Sequence, residues 1–427
     1  MSEPIEIQPI SSLNASVRVP GSKSYTQRAL VIASLAEGKS LLQGPLISED
    51  TEYLIEALRV LGANILSTGE GLVVTGTGGN LAPPGRPIFL GNNGTATRFL
   101  ISMASLGKGD YHLTGSPRLC QRPMKSLLDA LRSLGGASTC EGEEGYLPLT
   151  IHAQGIQGGR ATFAEVESSQ YISSLLLSAP FASGDLEIQV RGSLASRPYV
   201  NLTLQAMMDF GVRVETGGEN HFLVRSGQRY RGADYPVEGD ASSASYFFLA
   251  AALCQGTVRV APMTHDTLQG DGKFLPLLEK LGSTVSSGDS WVEVKGNPLA
   301  PGEFVFDMGD MPDMVPTLAV LSALRPGRTV IRNAAHLRIK ESNRLEALAR
   351  ELGKTGIRSE EKEDGLVIEG GSPRGADIDT YDDHRIAMSF AILGLAVPGM
   401  RIRDGSCVRK SFPGFWEELG KLYGDRP

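Results

Sequence analysis

Cysteine is scarce in this 427-residue chain. Its four cysteines, Cys120, Cys140, Cys254 and Cys407, are scattered and form no CxxC pair. That spacing excludes a zinc ribbon and a disulfide framework, and leaves reduced thiols in a cytoplasm as the expectation. No His, Cys and carboxylate set has metal-ligand spacing, so neither a metal nor another cofactor is expected. No apolar run reaches the roughly 20 residues of a membrane span. The opening residues Met1-Ser2-Glu3-Pro4-Ile5-Glu6 lack a cationic stretch leading into an apolar one, which argues against a secretory leader. Excess positive charge is missing as well. Lys and Arg number 41 against 48 Asp and Glu, a net charge of −7, so no nucleic-acid or membrane partner is expected.

What is present reads as an ordinary globular chain, 41% hydrophobic and 21% charged. Its 51 glycines exceed the usual share of about 7% with no low-complexity run, which points to many tight turns. The length suits two large domains or three smaller ones.

A repeat organises the chain. An amphipathic helix ends in an apolar residue plus glycine, at Leu61-Gly62, Leu134-Gly135, Phe210-Gly211, Leu281-Gly282, Leu352-Gly353 and Tyr423-Gly424, with spacings of 73, 76, 71, 71 and 71 residues. The glycine reads as the left-handed residue that ends a helix. Alternating strands such as Gly71–Thr75 and Gly365–Ile368 follow. In phase with these runs a second set of helices, apolar nearly all round and therefore internal. Their starts read as Ser24, Thr95, Ser168, Asp240, Pro312-Asp313 and Asp382, each after a short strand. Six such units fit two three-unit domains with a boundary near Asp240. The segment Ile5–Pro20 is expected to complete the last unit of the C-terminal half.

Polar residues crowd the starts of the internal helices. Pro20-Gly21-Ser22-Lys23-Ser24 leads into Arg28. Gly91-Asn92-Asn93-Gly94-Thr95-Ala96-Thr97-Arg98 is a glycine-rich turn. Ser168-Ser169-Gln170, Glu238-Gly239-Asp240-Ala241-Ser242-Ser243, Asp310-Met311-Pro312-Asp313 and Asp382-Asp383-His384-Arg385 follow. Free backbone N–H groups and the positive dipole end suit an anion there, although the spaced glycines of a Walker A loop are missing. Capping accounts for Ser, Asn and Asp. It does not account for Lys23, Arg28 or Arg385, since cations oppose the dipole at a helix start. They need a counter-anion, and a ligand is the candidate. Further cations sit in links at Arg118, Arg122, Arg197, Arg338, Lys340, Arg344, Arg409 and Lys410. Glu341 and Asp313, among so many cations, are candidates for general acid and base. His384 reads as a structural residue of its helix start.

Eight motifs in order and spacing, Pro20–Ser24, Gly91–Arg98, Arg122-Pro123, Ser168–Gln170, Glu238–Ser243, Lys340–Arg344, Asp383–Arg385 and Lys410–Pro413, resemble the 5-enolpyruvylshikimate-3-phosphate synthase family over essentially the whole chain. The resemblance implies an α/β fold of two similar domains, residues 20–239 and residues 1–19 plus 240–427. Each would hold three βαβαββ units with buried helices, an inside-out α/β barrel-like arrangement, and the two would close over a cleft. It implies enolpyruvyl transfer from phosphoenolpyruvate to the 5-hydroxyl of shikimate 3-phosphate by addition and elimination, in a cytoplasmic monomer. Carried over by position, Ser24, Arg28, Ser168, Ser169, Ser196, Tyr199, Asp313, His336 and Lys340 would hold shikimate 3-phosphate. Lys23, Gly94, Arg122, Gln170, Arg344, Arg385 and Lys410 would hold phosphoenolpyruvate. Glu341 would protonate the methylene carbon and Asp313 would accept the hydroxyl proton, with Lys23 the third catalytic candidate.

Gln27, Phe99 and His336 depart from the commonest family pattern at their positions. Gly94 and Thr95 keep the pattern implying inhibition by glyphosate. Two other readings stand beside this one. The sister transferase acting on UDP-N-acetylglucosamine carries a catalytic cysteine, and Cys120 lies two residues before Arg122; its cysteine is further from its arginine, and Ser168-Ser169-Gln170 is not expected there. A non-catalytic anion-binding protein would not be expected to keep Lys23, Asp313, Glu341, Arg385 and Lys410 together.

Overall fold

A computed structural model describes residues 3–164, 166–192, 194–218 and 220–424. The chain forms two compact units, residues 21–237 and residues 1–20 with 238–427, each with its own apolar core. Every unit contains three internal helices: α1 (Lys23–Leu35), α2 (Gly94–Ala104) and α3 (Ser169–Ser178) in the first, α4 (Ala241–Cys254), α5 (Val315–Leu324) and α6 (His384–Ala396) in the second. Nearly every residue of each is buried, as their unbroken apolar sequences require. The amphipathic helices, such as Glu49–Val60 and Arg344–Lys354, bury one face only.

Three sheets cover each set of internal helices. Five of the six share one plan among the described residues: a parallel pair, then two antiparallel strands, as in Gly302–Asp307, Gly327–Arg332, Gly365–Gly370 and Arg358–Lys362. The sixth sheet has three strands among the described residues, Asp377–Ile378, Met400–Ile402 and Ile5–Ile7. The sheets are separate and open, and none closes into a barrel among the described residues.

Two strands pair away from the repeat whose helix they precede. Asn14–Arg18 runs directly into α1, yet lies parallel to Thr257–Ala261 of the fourth repeat, Val17 opposite Val260. Asp234–Pro236 runs into α4, yet lies parallel to Lys39–Gln43 of the first repeat. Ile5–Ile7 does complete the last repeat, antiparallel to Met400–Ile402. The N-terminal segment therefore serves two repeats, where the sequence pointed to one.

The helix ends follow their residues. Ser22, Asn93, Ser168, Asp240 and Asp383 cap α1, α2, α3, α4 and α6 by accepting a backbone N–H. These caps place several starts a residue or two from the sequence expectation. Pro312–Met314 forms a separate 3-10 turn before α5. Gly62, Gly135, Gly211, Gly282 and Gly424 all have positive φ. Gly353 does not, because its helix runs on to Lys354 and Gly356 takes the left-handed position.

Candidate active site

In the unit of residues 21–237, side chains tie the starts of α1, α2 and α3 together. Lys23 Nζ donates to Asp50 Oδ2 at 3.0 Å. The Asp50 carbonyl accepts from Asn93 Nδ2 at 2.7 Å, so one residue links the starts of α1 and α2. Gln170 links α3 to α2: its Nε2 donates to Thr95 Oγ1 at 2.8 Å, and its Oε1 accepts from Arg98 Nη1 at 2.5 Å. The Gln170 amide is thereby held with its nitrogen on the Thr95 side.

Arg28 is buried below this surface. Its Nε donates to Thr203 Oγ1 at 2.8 Å and its Nη1 to the Ser24 carbonyl at 2.9 Å. Its Nη2 donates to the Tyr199 carbonyl at 2.9 Å and to Ser173 Oγ at 3.4 Å. The Phe99 ring lies 5.3 Å from the guanidinium. Burial among neutral acceptors lowers the guanidinium pKa to about 10. Ser196 is buried at φ 58, in the left-handed region, at the start of the helix Arg197–Asp209 that carries Tyr199. Ser169 is buried, and Ser168 and Ser24 are half-buried.

Arg122 stands apart. It is 3% exposed, and its Nη1 reaches the Asn92 carbonyl at 3.4 Å. Its buried Nε has no acceptor among the described residues. The guanidinium lies on Gly94: a Cβ there would fall 2.5 Å from Cζ and 2.6 Å from Nη2. Glycine is needed at this position for space, not for backbone conformation.

The unit of residues 1–20 and 238–427 is built differently. Arg344, 1% exposed, meets three carboxylates. Its Nε donates to Asp383 Oδ2 at 2.8 Å, Nη1 to Asp313 Oδ1 at 2.9 Å and Nη2 to Glu341 Oε2 at 2.8 Å. Burial alone would lower its pKa, but Asp383, Glu341 and Asp313 outweigh it and the net shift is upward. Arg385 Nη2 donates to Asp313 Oδ2 at 2.7 Å. Burial pushes the Asp313 carboxyl up, but attraction to Arg385, Arg344 and Lys340 dominates and holds it well below the usual range. Burial and the neighbouring Lys340 lower His336 to about 4. His336 is thus neutral near pH 7, and its buried Nε2 has no partner among the described residues. Lys410 is buried and Lys340 half-buried. Tyr381 and Asp382, at φ 55 and 54, form the strained turn before the Asp383 cap.

Two expectations change. Lys23 and Arg385 find their counter-anions in the protein, Asp50 and Asp313, where the sequence pointed to a ligand. Arg28 has hydroxyls and carbonyls instead of an anion. Three residues were missed. Asp50 looks like any acid in the first turn of a helix, where the dipole favours it. Arg98 stood in a quoted motif without a role. Asp271, 4% exposed and accepting from Ser242 Oγ, lies in a Gly-Asp-Gly turn that carries no signal of chemistry.

Buried guanidiniums at helix starts, with carboxylates bonded to them, mark an enzyme that binds small polyanions and moves protons beside them. The comparisons agree. Residues 7–419 match the family model for EPSP synthase, 3-phosphoshikimate 1-carboxyvinyltransferase. A 3-phosphoshikimate 1-carboxyvinyltransferase of Syntrophobacter fumaroxidans is 44% identical over 420 residues, 97% of this chain and 99% of that one. Another, of Nostoc punctiforme, is 41% identical over 412 residues, 96% of each chain. The structure of EPSP synthase from Acinetobacter baumannii superposes with a TM-score of 0.82 at 28% identity, over 99% of this chain and 98% of that one. The chain belongs to the EPSP synthase family.

Proposed function

We propose a working site for this transferase of the shikimate pathway, which moves the enolpyruvyl group of phosphoenolpyruvate to shikimate 3-phosphate. Lys23, Gly94, Arg122, Gln170, Arg344, Arg385 and Lys410 hold phosphoenolpyruvate. Ser24, Arg28, Ser168, Ser169, Ser196, Tyr199, Asp313, His336 and Lys340 hold shikimate 3-phosphate. The observation that carries this is Arg122, a buried guanidinium with one long bond to a carbonyl among the described residues. Such a group gains most from an anion, as charge-assisted bonds are the strong ones. Of the five donors of Arg28, four go to protein acceptors, and the remaining Nη1 hydrogen is what it offers the acceptor substrate.

Asp313 accepts the proton of the 5-hydroxyl as that oxygen attacks C2 of the donor, and Glu341 delivers a proton to C3. The tetrahedral adduct then loses phosphate, which leaves with the proton that Asp313 took, and a methyl proton returns to Glu341. For this Glu341 must first carry a proton, whereas its bond to Arg344 favours the carboxylate. The carboxylate of phosphoenolpyruvate competes with Glu341 for Arg344, so donor binding itself prepares the acid. The protein works as a cytoplasmic monomer. Glyphosate, an anion, competes for the donor groups around Arg122, and full activity at millimolar glyphosate would refute that part. The test of the whole is phosphate release with phosphoenolpyruvate and each acceptor. Release is expected with shikimate 3-phosphate, and release with UDP-N-acetylglucosamine alone would overturn the reading.

A further inference from the structure

Asp271 is a buried carboxyl that the reaction above does not use. It lies in the turn Gly270–Lys273 and accepts a hydrogen bond from Ser242 Oγ, in the first turn of α4. Ser242 Oγ in turn accepts from Arg385 Nη2 at 3.4 Å. Arginine only donates, and a hydroxyl has one hydrogen. With Asp271 ionised the Ser242 hydrogen goes to it and the Ser242 lone pairs are turned toward Arg385; burial and the neighbouring Asp313 raise that carboxyl to about 7. Arg385 is thus held from three sides: by Asp313 Oδ2 at 2.7 Å, by Ser242, and by the Tyr246 hydroxyl at 3.4 Å. Without an acceptor at position 271 the Ser242 hydroxyl loses its fixed direction, and its contact with Arg385 is no longer held in place.

We propose that Asp271 is a positioning residue for the donor substrate, acting through Ser242 to fix the Arg385 guanidinium. The proposal rests on the assignment of Arg385 to phosphoenolpyruvate. Asp271 touches no substrate. It sets where the Arg385 donors point, so its larger effect belongs in donor binding, with a smaller one passing through the Arg385–Asp313 bond.

The test is a cycle of Asp271→Ala, Asp271→Asn and Arg385→Lys in the full chain, read by steady-state kinetics for each substrate. Asp271→Ala is expected to raise KM for phosphoenolpyruvate about tenfold, the loss of roughly one oriented hydrogen bond to a charged group, with clearly smaller changes in kcat and in KM for shikimate 3-phosphate. Asp271→Asn keeps an acceptor oxygen and is expected to restore most of the loss. In the Arg385→Lys background Asp271→Ala is expected to add less than about twofold. Equal effects on both substrates, no rescue by asparagine, or additive losses in that background would each overturn the proposal. If Arg385→Lys alone leaves KM for phosphoenolpyruvate unchanged, the donor assignment fails. The link to Arg385 is then read from the crystal structure of Asp271→Asn and Asp271→Ala: a guanidinium displaced only in the alanine variant upholds it, and an unmoved one overturns it.

Discussion

Gly94→Ala puts one methyl group against one guanidinium. The new Cβ would stand 2.5 to 2.7 Å from the Arg122 atoms Cζ, Nη2 and Nη1, so about 1 Å of separation is missing against an ordinary contact of roughly 3.5 Å. Gly94 itself stays comfortable, since it opens α2 with no positive φ, and alanine there gains up to about 1 kcal/mol of helix propensity. The obstacle is the far end of a long side chain, so Arg122 moves and the helix does not. Overpacking would cost about 1–3 kcal/mol if nothing yielded; with Arg122 yielding, the two stability terms nearly cancel. The loss falls on binding. A bond from a charged donor is worth about 1.5–3 kcal/mol, and an Arg122 displaced by 1 Å loses most of it. KM for phosphoenolpyruvate is therefore expected to rise about 10- to 100-fold, at 1.4 kcal/mol per factor of ten, with KM for shikimate 3-phosphate and the melting temperature little changed. Steady-state kinetics with each substrate varied, beside a thermal melt, measures this. An unchanged donor KM, or a fall in stability with no change in donor KM, would refute the reasoning.

Other outcomes follow from the same contacts. Glu341→Gln should bind both substrates near normally and lower kcat by at least about 100-fold, and the proton uptake that an indicator dye reads when phosphoenolpyruvate binds to the parent should vanish. Arg28→Met strips four acceptors of their donor and should cost about 3 kcal/mol or more, seen as an earlier thermal transition; an unchanged melt would mean that those bonds contribute nothing. His336, lowered to about 4 by burial, keeps its stability contribution above pH 6.5 and loses it as the pH falls toward 4, because the unfolded chain takes up the proton first. His336→Gln should therefore flatten the loss of stability between pH 6.5 and 4 by on the order of 3 kcal/mol.

The repeat was legible because its punctuation is local. A left-handed glycine after a helix, and a Ser, Asn or Asp before one, are set by the residue itself, and Gly62, Asn93, Asp240 and Gly282 all stand where such residues must. The partners of Asn14–Arg18 and Asp234–Pro236 were not legible. A parallel strand pairs with a distant segment, and nothing in those short runs distinguishes Thr257–Ala261 or Lys39–Gln43 from other strands of the same composition. Gly353 misled for a related reason: a glycine inside a helix and one just past its end look alike until the last turn is formed. At the site, the cations were legible as out of place at helix starts, but their counter-anions were not. Asp50 lies 27 residues from Lys23 and Asp313 lies 72 from Arg385, distances that no local pattern spans.

The helix starts of the two units surround their buried arginines differently. Around α1, α2 and α3 the buried cations Arg28 and Arg98 bond to carbonyls, hydroxyls and an amide, and burial lowers Arg28. At the starts of α5 and α6 Arg344 and Arg385 bond to carboxylates, and Arg344 is raised. The two surroundings respond differently to an entering anion. A cation desolvated among neutral groups has lost water without gaining an anion, and a phosphate or carboxylate that enters recovers much of that cost. A cation already paired gains little from a second anion unless it gives up the first, and giving it up releases a carboxylate that then binds a proton more readily. On the proposed assignment of the site residues, Arg28 and Arg122 are the groups expected to gain most from an entering anion, and Arg344, which bonds both Asp313 and Glu341, is the one expected to couple anion binding to proton transfer.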